Sequence, residues 1–159
     1  MPVLYLMRHA SAEPHDPAGD ALRALTADGR AEASSIGDQL RDAGIDRVLA
    51  SSAARTLQTA LELGLDVEAE PADSLYNADG ETILEAVRLL DDSVTTALVI
   101  AHNPGISDAS LELTGDDSDP EARLVIESGF PPATCCRFEV TGSWASLTTA
   151  RLTTTLRPH

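Results

Sequence analysis

Val3-Leu4-Tyr5-Leu6-Met7-Arg8-His9-Ala10 is an apolar run that stops at an arginine and a histidine. A continuous apolar stretch of this length, without polar alternation, reads as a strand covered on both faces, the condition of a parallel sheet. It is too short for a signal segment or a membrane span, so a cytoplasmic protein that does not act at a membrane is expected. Two further stretches repeat the pattern. Arg47 to Ala50 is a short strand that runs into Ser51, Ser52 and a helix carrying Arg55, and Ala97 to Ala101 is a buried strand followed by His102.

Between these strands the hydrophobic period changes to that of helices. Thr26 stands as the N-cap of a helix over Ala27 to Ala43, with Ala33, Ile36 and Leu40 on one face and Gly44 as its stop. Ser51 or Ser52 caps the next, Ala53 to Leu63, which Gly64 ends. Asp66 to Glu70 reads as a strand and Glu81 to Leu90 as a helix with Ile83, Leu84, Val87 and Leu90 aligned. Asn103 and Pro104 open a further helix as cap and first residue, closed by Gly115. The acidic stretch Gly115 to Glu121 reads as a solvated loop, and Thr134 to Val140 and Ser146 to Leu152 as two final strands. Strands alternating with helices predict an α/β fold, and no linker divides residues 1–159, so a single domain is expected.

Composition narrows the chemistry. The chain has 159 residues and a formal net charge of −15, and its aromatic content is one tryptophan, two tyrosines and two phenylalanines. Such a molecule repels phosphate backbones and offers few faces for bases to stack on, which argues against a nucleic-acid partner. Every cation is an arginine. Without lysine there is no P-loop, Schiff base or lysine general base, and charge chemistry falls to guanidinium and imidazole. The adjacent Cys135 and Cys136 point to opposite faces of a strand and cannot easily bridge each other.

In an open α/β sheet ligands bind beyond the carboxyl ends of the strands. If the three arginine- and histidine-bearing strands are neighbours, Arg8, His9, Arg55 and His102 meet in one crevice together with helix N-termini. A phosphoryl group fits that setting, because guanidinium forks match its oxygens. His9 can serve as a nucleophile that accepts the phosphoryl group and yields it to water, a route that needs no cofactor and no metal. The competing route is a divalent metal held by His9, His15, Asp16, Asp20 and His102, a set that the surrounding arginines disfavour. Asp20 and Arg23 are expected to fix the loop over the crevice, and His159 to be passive.

These residues resemble the histidine phosphatase superfamily, whose signature is an Arg-His pair after the first strand. The likeness runs through Leu4 to Ala10, Leu25-Thr26 with Gly29, Ser51 to Ala60, and Val99 to Gly105, in family order. Without a large insertion between Gln58 and His102, the chain is most similar to the small SixA-type phosphohistidine phosphatases. The resemblance implies a three-layer α/β/α sandwich with a mostly parallel sheet, phosphoglycerate mutase-like and without a large lid. It further implies that His9 is the phosphorylated nucleophile and that Arg8, Arg55 and His102 bind the phosphoryl group.

Two departures bear on the substrate. Ala10 replaces a glycine common in the family, and the acid that protonates the leaving oxygen in longer members has no clear counterpart. Its nearest candidates are Asp79 and Glu81, which equally serve as helix N-terminal charges. A site poor in acid favours an imidazole leaving group over an alkoxide. The expected substrate is therefore phosphohistidine on a signalling phosphotransfer protein. A small phosphorylated metabolite is the alternative, and a phosphate-recognising module without turnover the third.

Overall fold

The computed structural model describes residues 1–159 and is built on one six-stranded sheet. In chain order the elements are β1 (Val3–Arg8), α1 (Ala27–Leu40), β2 (Arg47–Ser51), α2 (Ala54–Leu63), β3 (Ala69–Ala72), α3 (Gly80–Arg88), β4 (Thr96–Ala101), α4 (Gly105–Leu113), α5 (Pro120–Glu127), β5 (Cys135–Glu139) and β6 (Arg151–Leu156). The spatial order is β3-β2-β4-β1-β5-β6. β2–β3, β2–β4 and β1–β4 pair in parallel, whereas β5 runs antiparallel to both β1 and β6. No helix is long and apolar enough to cross a membrane.

Strand alternation splits the core into two layers. Leu4 and Leu6 of β1, with Ala97, Val99 and Ala101 of β4, face a core closed by Ile83, Leu84 and Val87 of α3, Ile106 and Ala109 of α4, and Ile126 of α5. Tyr5, Met7, Leu98 and Ile100 face the opposite core, closed by Ala33, Ile36 and Leu40 of α1 and Leu63 of α2. This is the expected α/β/α sandwich. Cys136 lies in the first core and Cys135 in the second, both as free thiols. The methyl group of Ala10 is also absorbed by the second core, fully buried, so this departure from glycine is accommodated by packing.

Several boundaries differ from the sequence reading. α1 stops at Leu40, and Gly44 takes its left-handed φ of 73° in the turn beyond. β3 begins three residues later than expected, at Ala69, where it can pair with Val48. Neither serine caps α2: Ala53 occupies that position without a side-chain hydrogen bond. α4 starts at Gly105 with Pro104 at the cap, and the Asn103 side-chain amide donates to the Phe130 carbonyl at 3.0 Å. It ends at Leu113, and Gly115 donates its N–H to the Ala150 carbonyl at 2.8 Å.

The stretch read as an acidic loop contains the start of a helix. Asp119 accepts from Ala122 N–H at 2.9 Å as the N-cap of α5, with Pro120 in the first turn. The last strand is β6, four residues beyond the expected end at Leu152, while Trp144–Ser146 forms a 3₁₀ turn. That turn is anchored by Trp144, whose indole N–H donates to the Val94 carbonyl at 2.9 Å.

Candidate active site

Register places the candidate residues. β1, β4 and β2 lie side by side and parallel, with Arg8 opposite Ala101 and Ala50 opposite Ile100. Arg8, His9, Ser51 and His102 therefore emerge at one level from neighbouring carboxyl ends, and Arg55 follows in the first turn of α2. The ring centroids of His9 and His102 are 5.3 Å apart. Arg8, His9, Arg55 and His102, together with Arg23, Asn77 and Asn103, line a cleft of about 290 Å³ that contains no aspartate or glutamate in its wall. All four expected residues, Arg8, His9, Arg55 and His102, are brought together.

Each is fixed by its own contacts. The Nδ1 of His9 lies 2.7 Å from the Ala10 carbonyl, an acceptor only, so Nδ1 carries the proton and Nε2 keeps its lone pair. Burial pushes the His9 imidazole down to about 4, opposed by the bond to Ala10 and assisted by Arg55 and Arg8, so it is neutral at pH 7. Burial likewise holds His102 at about 3, with the Arg55 charge as the next cause. The Nε2 of His102 meets Ser51 Oγ at 2.7 Å. Ser51 is the last residue of β2, two positions ahead of the Ala53 cap, and its Oγ also accepts from Ala53 N–H at 3.4 Å. A serine ahead of a helix carries no signal that separates capping from pairing with a histidine.

Arg8 donates from Nη1 to the Phe130 carbonyl at 3.1 Å. Arg55, only 4% exposed, donates from Nη1 to the Asp20 main-chain carbonyl at 3.0 Å and from Nη2 to Asp20 Oδ2 at 3.2 Å. Asp20 also accepts from Arg23 Nε at 2.9 Å and from the Tyr76 hydroxyl. Asp20 and Arg23 thus fix the loop as expected, and Arg23 further contributes to the cleft wall. Tyr76 was not singled out by the sequence. Its ring stands edge-on to His102 at 5.7 Å and lies 5.9 Å from the Arg55 guanidinium.

Three buried nitrogens of the cleft residues lack a partner: Nε of Arg8, Nε of Arg55 and Nδ1 of His102. Buried donors are almost always satisfied, so three in one place mark a site shaped for an acceptor-rich ligand. The backbone is strained nearby. Asn77, which lines the cleft, has φ 56°, and Ala133, whose N–H donates to the His9 carbonyl at 3.0 Å, has φ 65°.

The acid candidates lie elsewhere. Asp79 is the N-cap of α3, accepting from Thr82 N–H at 2.8 Å, and hydrogen bonding by the Thr82 side chain, then by its N–H, holds the carboxyl below the usual range. Glu81 is paired with Arg88 Nη1 at 2.6 Å. Neither lines the cleft. The residues of the metal route do not assemble either, since no three His, Cys, Asp or Glu side chains form a group that could hold an ion.

A family model of the histidine phosphatase superfamily (branch 1) matches residues 4–81. An uncharacterized protein of Mycobacterium leprae (strain TN) is 35% identical over 147 residues, which covers 89% of this chain and 91% of that protein. The chain belongs to the histidine phosphatase superfamily. A solved structure from Nakamurella multipartitia, described as a candidate phosphohistidine phosphatase SixA, shares 32% identity with a TM-score of 0.88, over 99% of this chain and 96% of that one. Within the superfamily the chain falls in the SixA-type branch. The protein histidine phosphatase SixA complexed with tungstate shares 25% identity with a TM-score of 0.79, over 98% and 97% of the two chains. This histidine phosphatase is accordingly an enzyme of the phosphatase class.

Proposed function

We propose that the protein is a metal-independent phosphohistidine phosphatase that carries the phosphoryl group on His9 Nε2. The observation that supports this most directly is the set of three unpartnered buried nitrogens, on Arg8, Arg55 and His102, around a neutral imidazole whose Nε2 is free. A phosphoryl group supplies the oxygens those donors lack, and tungstate, bound by the SixA relative, is a tetrahedral oxyanion of the same kind.

In the first step His9 Nε2 attacks phosphorus, the bond from phosphorus to the departing imidazole nitrogen breaks, and that nitrogen takes a proton from solvent. Arg8 and Arg55 neutralise charge on the equatorial oxygens as it develops. With the Ser51 hydroxyl as the donor in its 2.7 Å contact to His102 Nε2, the His102 proton sits on Nδ1 as a further donor. Water then attacks phosphorus, the bond to His9 Nε2 breaks, and inorganic phosphate leaves with His9 again neutral. Neither step draws a proton from an enzyme carboxyl group.

That last point supports the choice of substrate. With no acidic residue in the cleft wall, and Asp79 and Glu81 engaged in capping and pairing, an alkoxide would leave unassisted. An imidazole leaves readily once protonated by water. The mouth is bordered by the loop of residues 9–26 and carries no inserted lid, which suits a histidine presented on the surface of a signalling phosphotransfer protein.

The test compares hydrolysis of a phosphohistidine-bearing phosphotransfer domain with that of a simple phosphomonoester, for wild type and His9→Ala, in excess chelator. Fast, His9-dependent loss of phosphohistidine with slow ester turnover is expected. The reverse preference would make this a small-molecule phosphatase. Wild-type turnover in a folded His9→Ala variant, or activity lost to the chelator and restored by a divalent ion, would end the covalent reading.

A further inference from the structure

Three guanidinium groups, from Arg8, Arg23 and Arg55, stand at the cleft beside two histidines that are neutral at pH 7. The carboxylate that pairs with Arg23 and Arg55 is Asp20, placed just outside the cleft wall in the 3₁₀ turn Asp20–Leu22, whereas Glu32 is tied to Ser11 of the wall and to none of the three arginines. Asp20 is engaged on every side. Its Oδ1 accepts from Arg23, its Oδ2 from Arg55 and Tyr76, and its own carbonyl from Arg55 again. The Tyr76 hydroxyl bond, followed by those to Arg23, holds it at about 2, so it is ionised throughout the working range.

We infer that Asp20 is a fixed counter-anion that limits how tightly the cleft holds a phosphoryl group, so that inorganic phosphate is released after hydrolysis. Three positive charges and one negative charge leave an excess of two, which matches the two negative charges of a phosphoryl dianion. Without Asp20 the excess would be three, and product phosphate would be held by an unopposed third guanidinium. Arg55 has five N–H donors and gives two bonds to Asp20, so it can bind both anions at once, including through its unpartnered Nε. Two anions on one guanidinium lie within about 4–6 Å of each other, where a like charge changes an affinity by about tenfold or more. Tyr76 keeps the carboxylate in place when the phosphoryl group arrives, since its bond to Oδ2 does not compete with the ligand.

The inference rests on the phosphoryl reading of the cleft and has an opposite sign from a purely structural role. If Asp20 only positioned the arginines, removing its charge would loosen them and weaken phosphate binding. The experiment is calorimetric titration of inorganic phosphate into wild type, Asp20→Asn and Asp20→Glu, with product inhibition measured alongside. Asp20→Asn should bind phosphate about tenfold more tightly, with lower kcat and stronger product inhibition, while Asp20→Glu stays within about twofold of wild type. Equal or weaker binding by folded Asp20→Asn overturns the inference and leaves the phosphoryl site standing. Should Asp20→Asn fail to fold, Asp20→Glu decides: it keeps the negative charge, so a folded Asp20→Glu that binds phosphate about tenfold more tightly than wild type, with correspondingly stronger product inhibition, would overturn the inference. Absence of phosphate binding by wild type would remove the phosphoryl reading and this inference together.

Discussion

His9 and Arg55 show how much a single side chain depends on its immediate acceptor. The Ala10 carbonyl selects the His9 tautomer, and Thr59 secures that carbonyl's residue by accepting Ala10 N–H at 3.0 Å while donating to the Arg55 carbonyl at 2.7 Å. One threonine on α2 therefore ties the nucleophile's strand to the helix that carries Arg55. Arg55 is buried and uses both ends of its fork on Asp20, a geometry that an ammonium cannot copy. Arg55→Lys should lower kcat/KM by about 10²–10³, as loss of a transition-state donor does, with little change in melting temperature. Steady-state kinetics beside a thermal melt checks this, and an unchanged kcat/KM would take Arg55 out of the phosphoryl site.

At the scale of elements, close backbone approach sets the tolerances. Gly37, in the middle of α1, lies so near α2 that a Cβ there would stand 2.0 Å from the Leu63 carbonyl oxygen. Helix propensity alone predicts that Gly37→Ala stabilises by about 1 kcal/mol. The contact predicts the reverse, a loss of about 1–3 kcal/mol as the helices are forced apart, measurable by urea unfolding. A Cβ on Gly105 would stand equally close to the Ala78 carbonyl oxygen, so glycine there seats the start of α4 against the loop bearing Asn77.

The same scale shows what could be read in the residues. β1 and β4 were legible because a strand buried on both faces is an apolar run, β2 through its shorter core Val48-Leu49-Ala50, and Arg8, His9, Arg55 and His102 because each ends or follows such a run or opens the helix after it. α5 was not, since Asp116-Asp117-Ser118-Asp119 reads as solvated charge before its cap becomes visible. β6 was displaced because Thr148, Thr149 and Thr153 to Thr155 form two threonine-rich runs of equal strand character. Tyr76 and Asn77 reach the cleft from a loop between a 3₁₀ turn and α3, where no period exists to point them anywhere.

The whole molecule carries a net charge of −15 yet keeps two histidines uncharged in its interior cleft. Both have a folded pKa below the unfolded value of 6.5. The unfolded chain therefore binds more protons as pH falls from 6.5 toward 4, and folding stability drops through that window by about 1.4 kcal/mol per pH unit for each histidine. Asp20 acts in the same sense but at lower pH, its contribution being lost as pH falls from about 4 to 2. Urea titrations at pH 7.5 and 5 should show a steeper loss in wild type than in a His9→Ala, His102→Ala double variant. Parallel losses would mean that the imidazoles are not held neutral.

Trp144 is the molecule's single tryptophan, 1% exposed and bonded to Val94, two residues before β4 begins, whereas His102 follows that strand's other end. Eight residues of extended chain separate those two points by roughly 26 Å. Its indole fluorescence is therefore an optical reporter of the α3–α4 layer, blue-shifted while the layer is packed and red-shifted when it opens, and it is blind to what occupies the arginine cleft. Unfolding and ligand binding in this protein are spectroscopically separate events.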